Sequence, residues 1–329
     1  MTNISTDASA GAARKAAENC TFPLVVRAGQ ANPRTYKIMG DGVSGACLVG
    51  AEETGGVFSL FEITAEPGGV ISPHRHSTEE ETFYILEGNF EVQRGGELIE
   101  MSAGMALHGP RGVIHGLRCV GDVTGRILIV TIPGGFENYY REMNESEGAA
   151  DLAFLMGKYG LQAGPEPIQP SHYSHLAPNR FVGLRDHRGH VLVSSDETDG
   201  VLVLAGLEVD PKGGLQPHLH RLEEEIFYVL EGQFRIMLAD QVIDALPGDF
   251  VFAPRGTVHS WSNVGDAPAY ALVLIAPAEN FQNFSLEMEK LVARIGEDVP
   301  DREVDPALLQ EIKGVYQRHS IELSEFGQP

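Results

Sequence analysis

Shifted by 144 residues, the chain falls on itself. His74 lands on His218, His76 on His220, Glu81 on Glu225, Gly88 on Gly232, Gly104 on Gly248 and His115 on His259. Of the 46 positions from His74 to Cys119, 17 are identical in the copy, with no gap. The register begins upstream, where Glu53-Thr54-x-Gly56-Val57 matches Glu197-Thr198-x-Gly200-Val201. Two copies at so long a period describe two similar domains rather than a solenoid. A chain of 329 residues is long enough for both.

Each copy reads as short strands followed by helices. Val57 to Ile63 is largely apolar, with polar residues only at Ser59 and Glu62, and Glu66-Pro67-Gly68-Gly69 predicts a turn. Thr82 to Leu86 ends in Glu87-Gly88, and Ile127 to Ile132 is apolar but for Thr131. Strands of this length, punctuated by Gly and Pro, predict an all-β sandwich or barrel. Behind it, Phe136 to Met143 and Leu152 to Tyr159 have helical spacing. Phe281 to Ile295 and Pro306 to His319 are their counterparts, with Phe136 matching Phe281 and Leu161 matching Ile321. The three prolines of Gly164 to Pro170 mark a linker. The expected division is a disordered N-terminal tail at 1–22, a first domain at 23–165 and a second at 166–329.

The repeated residues are those that bind metals. His74 and His76 are two apart, so on a strand both imidazoles leave the same face. Glu81 follows after a polar turn, and His115 comes from a later strand. His218, His220, Glu225 and His259 repeat the set at identical spacings. Six of the twelve histidines occupy duplicated positions, whereas His108, His172, His175, His187, His190 and His319 have no counterpart and read as exposed or satisfied polar residues. Three imidazoles and one carboxylate suit a five- or six-coordinate divalent first-row ion such as Fe, Mn, Ni or Co, one per domain, with positions left open for a ligand. Strand parity places Phe83 and Ile85 on the face of Glu81, Leu117 on that of His115, Phe227 and Val229 on that of Glu225, and Trp261 on that of His259. Together they predict an apolar sleeve for a flat aromatic substrate. Arg111 and Arg255 recur before the motif glycine and read as turn contacts.

Charge narrows the partners. Lys and Arg number 24 against 46 Asp and Glu, a net charge of −22. Duplex nucleic acid and anionic membrane both need a basic face, so neither is an expected partner. No apolar run reaches the length of a membrane span, and the N-terminus lacks a signal-peptide pattern. Three scattered cysteines argue against a disulfide scaffold and for a reducing cytoplasm.

Gly68-x5-His74-x-His76-x4-Glu81-x6-Gly88 resembles the first motif of the cupin superfamily, and Gly104-x5-Pro110-x-Gly112-x2-His115 resembles the second. The second copy repeats both, ending in Asn263. Two motif pairs identify the chain as similar to bicupins, over about residues 30 to 280. The runs Glu81-Thr-Phe-Tyr-Ile-Leu-Glu-Gly88 and Glu225-Ile-Phe-Tyr-Val-Leu-Glu-Gly232 are similar to those of quercetinase-like cupins.

The resemblance implies two double-stranded β-helix (jelly-roll) barrels, each with a helical extension, and barrels that pair into a homodimer. It implies a metal-dependent dioxygenase that opens a flavonol or related enolisable aromatic with O2, with Glu81 and Glu225 as both ligand and base. The ligand set also serves other cupin chemistries, such as isomerases, decarboxylases and tailoring enzymes, and non-catalytic binding proteins. Two positions depart from the motifs. Lys212 stands where the first motif has glycine, so that turn is expected to differ. Cys119 stands where the second motif has asparagine.

Overall fold

In the computed structural model the described residues are 24–28, 35–36, 40–146, 151–164, 181–184, 186–295 and 306–323. The expected disordered tail at 1–22 and linker residues 165–170 lie outside them. The chain forms two compact units, and each is an antiparallel jelly-roll barrel followed by helices. Among the described residues no helix is long and apolar enough to cross a membrane.

In the first unit the sheet runs Glu97–Ser102, Asn89–Arg94, His115–Val120, Ser59–His76, Gly125–Ile132, Glu80–Glu87 and Ala106–Gly109, with Asp41–Val49 also on Ser59–His76. Alternation decides which face is which. Phe61, Ile63 and Ala65, then Phe83 and Ile85, turn inward and join one core with Leu107, Leu117 and Ile129. A buried aromatic of this kind contributes about 1.5–3 kcal/mol. The turn predicted at Glu66 to Gly69 does not interrupt the strand, which continues from Ser59 to His76 for 18 residues. Strand Asp41–Val49 pairs on both sides of that corner, Val43 with Ala65 and Asp41 with Val70, so the ladder is carried across it.

The second unit splits the equivalent strands between two sheets. One runs Leu24–Val26, Phe250–Ala253, Glu224–Glu231, Ala269–Ala276, Val203–Val209, His187–Val193 and Phe181–Leu184. The other runs Gln241–Ala245, Phe234–Leu238, His259–Asn263, Gly214–His220 and Ile321–Leu323. Here the chain does break between Val209 and Gly214. Lys212 takes the left-handed conformation that Gly68 takes in the first copy, with φ of +67° against +81°. The left-handed φ is therefore kept, but the strand that runs on through Gly68 stops at this turn.

Leu24–Val26, placed in the first domain by the sequence reading, pairs with Phe250–Phe252 of the second unit. Asp249 anchors it by accepting from Arg27 at 2.7 Å and from the backbone N–H of Ala28 at 2.8 Å.

The helical extensions are Glu137–Glu145 with Leu152–Lys158, and Glu279–Ile295 with Pro306–Arg318. Each ends in a short strand laid on the His-x-His strand. Leu161 faces His76, and Ile321 faces His220. Cys47 and Cys119 are buried and unbridged.

Candidate metal centres

Sheet register brings the four side chains of each set together. His74 stands opposite His115 on the neighbouring strand, and His218 opposite His259. In each set the ligand atoms all lie within 4.8 Å of one another, and all eight residues are buried. Glu81 Oε2 lies 2.6 Å from His115 Nε2 and 3.3 Å from His76 Nε2. In the second set Glu225 Oε2 lies 2.7 Å from His259 Nε2, 3.1 Å from His220 Nε2 and 4.0 Å from His218 Nε2.

The other nitrogen of each ring decides the tautomer. Nδ1 of His74 donates to the Ser72 carbonyl at 2.8 Å, and that of His115 to Val113 at 3.0 Å. Nδ1 of His218 and His259 do the same to Gln216 at 3.0 Å and Thr257 at 2.9 Å. His76 Nδ1 instead lies 3.3 Å from Glu79 Oε2, and His220 Nδ1 lies 3.4 Å from Glu223 Oε2. These are ion-pair distances, off the line of a hydrogen bond. In His74, His115, His218 and His259 the Nδ1 proton is held by a carbonyl, which leaves Nε2 to face a metal.

The fit can be tested on unsatisfied atoms. His76 Nε2, His115 Nε2 and Glu81 Oε2 are buried and make no hydrogen bond. Native interiors rarely leave such atoms orphaned. A cation among them would satisfy all three at once, so the residues fit a divalent ion.

Charge divides the imidazoles of each set. Burial, with the neighbouring His115, lowers the pKa of His74 to about 3. Burial, with His259, does the same to His218. Both are therefore neutral ligands at neutral pH. Burial would also lower His76 and His220, but the carboxylates of Glu81 with Glu79, and of Glu223 with Glu225, outweigh it and raise each to about 9. Burial would raise Glu81 and Glu225, yet the imidazoles hold both well below the ordinary carboxylate range.

The six residues expected to line a sleeve are all buried in the barrel cores. Phe83 approaches the His115 ring at 5.7 Å, and Phe227 approaches that of His259 at 6.3 Å. Trp261 stands edge-on to His187 at 5.0 Å.

The sequence reading missed what the helical extensions bring. Phe136 packs edge-on against His76 at 4.5 Å and against Tyr140 at 5.1 Å. Phe281 lies 5.9 Å from His220, and Phe284 lies 4.9 Å from Tyr316. Burial and the charge of Glu81 push the Tyr140 phenol well up, and burial and Glu225 push that of Tyr316 up to about 12. Both phenols therefore stay protonated. The match of Phe136 with Phe281 was the available signal.

Glu79 and Glu223 were missed too, although the run of three glutamates ending at the ligand repeats in both copies. Its middle member holds the loop that delivers the last histidine. Glu80 accepts from the Arg111 backbone N–H at 2.7 Å, and Glu224 accepts from that of Arg255 at 2.6 Å. Arg111 and Arg255 are thus loop contacts. His108, with no counterpart, is a satisfied polar residue: its Nδ1 meets Thr82 Oγ1 at 3.0 Å. His319 likewise meets Glu287 at 2.9 Å. His172 and His175 lie outside the described residues.

The cupin domain family matches residues 61–131 and 207–275. Quercetin 2,3-dioxygenase of Bacillus subtilis (strain 168) is 25% identical over 246 residues, covering 65% of this chain and 72% of that one. Among solved structures, a formate complex of Lactobacillus farciminis oxalate decarboxylase has a TM-score of 0.57 at 15% identity, over 87% of this chain and 97% of that one. Bacillus subtilis oxalate decarboxylase gives 0.57 at 14% identity, over 93% and 89%. At such identities the structural likeness speaks for the fold alone.

Proposed function

From a chain that is a bicupin, with one cupin domain in each unit, we propose a metal-dependent dioxygenase resembling quercetinase. Its substrate is a flavonol or related enolisable aromatic, opened with O2. The observation that carries this reading is the pair of buried sites whose Nε2 and carboxylate atoms converge beside aromatic side chains, in a chain related to a quercetin 2,3-dioxygenase.

His74, His76, His115 and Glu81 would hold one divalent ion (Fe, Mn, Ni or Co), and His218, His220, His259 and Glu225 a second. When bound, the ion supplies Lewis acidity toward an ionised substrate hydroxyl and a place for O2. The chain's own residues supply the rest. Glu81 or Glu225 accepts the hydroxyl proton. Two imidazoles make that carboxylate a weak base, so transfer requires the substrate oxygen within hydrogen-bond reach. The phenols of Tyr140 and Tyr316, kept protonated by burial and by the charge of Glu81 and Glu225, would donate to the substrate, and the aromatic walls exclude water from the reacting ring.

Turnover of a small dianion, as in oxalate decarboxylation, would need a cationic side chain free to hold it. Arg255 Nε is committed to Glu224 at 2.6 Å, and Arg111 lies 3.6 Å from Glu80.

The test is to load the full chain with each of the four metals and mix it with quercetin. Anaerobically the flavonol absorption band should shift. On adding O2, ring opening should consume O2 and release carbon monoxide. No shift and no O2 uptake across a flavonol panel, with metal-replete protein, would refute the reading.

A further inference from the structure

One row of inward-facing residues crosses each barrel beside the ligand histidines. In the first barrel, strand register lines up Cys47, Phe61, Ile129, Phe83 and Leu107. In the second it lines up Val191, Ala205, Val273, Phe227 and Val251. The two rows are the same positions 144 residues apart, and Phe83 and Phe227 tie each row to its metal-ligand set through His115 and His259.

The rows differ in what fills them. Every member of the first is buried, at 1–4% exposure. In the second, Phe227 and Val251 are buried, but Val191, Ala205 and Val273 are half-buried. The largest exchange is Phe61 for Ala205. Phe61 reaches out of the barrel to the helical extension, meeting Tyr140 at 5.8 Å and Phe136 at 6.4 Å. Barrel and helices then share one continuous core that includes Phe136, Tyr139, Leu155 and Leu161.

Ala205 has no ring to make that bridge. The second core accordingly separates into a barrel cluster, a helical cluster around Met288 and Tyr316, and a small cluster of Val203, Ile275 and Ala278. The divide runs past the metal-ligand set. Phe281, half-buried like Val191 and Val273, packs with them against Val203, Ile275 and Ala278 and lies 5.9 Å from His220.

We infer that the second barrel holds the substrate chamber and that Ala205, standing where the first barrel has Phe61, is the residue that opens it. Its walls are Val191, Ala205, Val273 and Phe281, with the Tyr316 phenol and the Glu225 carboxylate as its polar groups. That combination selects a flat apolar ring bearing one acidic hydroxyl, bound once per chain. The first site, closed by Phe61, Phe136 and Tyr140, keeps its ligand set without the room. The inference rests on the proposed function for the identity of the ligand, not for the location of the chamber.

Full-length protein loaded with Co(II) tests it, using 4-phenylimidazole as a probe that needs both the metal and space beside it. The visible cobalt bands should saturate at one equivalent per chain. Ala205→Phe should weaken that binding at least tenfold while both cobalt ions stay bound. Val273→Phe should do the same from the neighbouring strand, and Phe61→Ala should add a second equivalent. No binding, two equivalents in the unmodified protein, or unchanged affinity in folded Ala205→Phe and Val273→Phe would each overturn the inference. Anaerobic quercetin titration separates it from the proposed function. Phenylimidazole behaving as expected with no flavonol bound refutes the function and leaves the chamber. Quercetin bound equally by the unmodified protein and Ala205→Phe refutes the chamber and leaves the function.

Discussion

Glu80 and Glu224 occupy the same place in the two barrels, one residue before the ligand carboxylate, yet their acidities move in opposite directions. Burial would raise both. In the first barrel His108, with Nε2 3.5 Å away, and the Arg111 N–H overcome it, and Glu80 falls below the usual carboxylate range. In the second, Phe252 and Ile226 replace His108 and Thr82. There burial prevails over Arg255, and Glu224 rises. The same contrast recurs inside the barrels, where Phe61 gives way to Ala205. The ligands and the acceptors behind them are alike in the two copies, and the neighbours are not. Duplication has kept the candidate metal-ligand set in both barrels while letting the surroundings of each site diverge.

The sharpest way to break this comparison is to remove one base at a time. Glu225→Gln should lower turnover about 10²–10⁴-fold, the range of general-base contributions, and Glu81→Gln far less, as read by O2 uptake. Equal losses would mean that the filled first site also turns over.

The metal-holding half of the comparison predicts sameness instead. Glu79→Gln and Glu223→Gln each remove the carboxylate behind a ligand imidazole. Each should weaken metal binding at its own site about 10–100-fold, measured by chelator competition. A loss at one site only would show that the two ligand sets are not equivalent.

Acidity offers a third reading of the same point. His76 and His220, raised to about 9, carry a proton at neutral pH that a metal must displace. Each ion should therefore release about one proton at pH 7, and affinity should fall about tenfold per pH unit below 9. His74 and His218, lowered to about 3, release none near neutrality. Metal titration of the apoprotein in weak buffer measures the protons directly.

The smallest effect lies at the turn before the ligand strand. Lys212 holds a left-handed conformation that costs an L-residue energy and glycine none. Lys212→Gly should stabilise the second barrel by about 1 kcal/mol or less, and Gly68→Lys should destabilise the first by a similar amount. Thermal unfolding would register both.

Much of this was legible in the chain. The 144-residue shift gave two domains, and period-2 spacing put His74 with His76 and His218 with His220. Glycine and proline spacing marked the strands, and apolar spacing marked both helical extensions to within a few residues. These are local properties, set by backbone geometry and the burial of one face.

What escaped depends on contacts across the sequence. The pairing of Leu24–Val26 with the second unit joins residues more than 200 positions apart. The placing of Phe136 and Phe281 over ligand imidazoles, the use of Glu79 and Glu223 behind them, and the continuity of the strand through Gly68 all depend on which segment packs where. The sequence by itself determined which atoms can bind a metal, because ligand identity and strand parity are written residue by residue. Only the tertiary structure decided what surrounds each ligand set, because that is set by whichever side chains of distant segments meet there, and Phe61 meets a helical extension that Ala205 has no ring to reach.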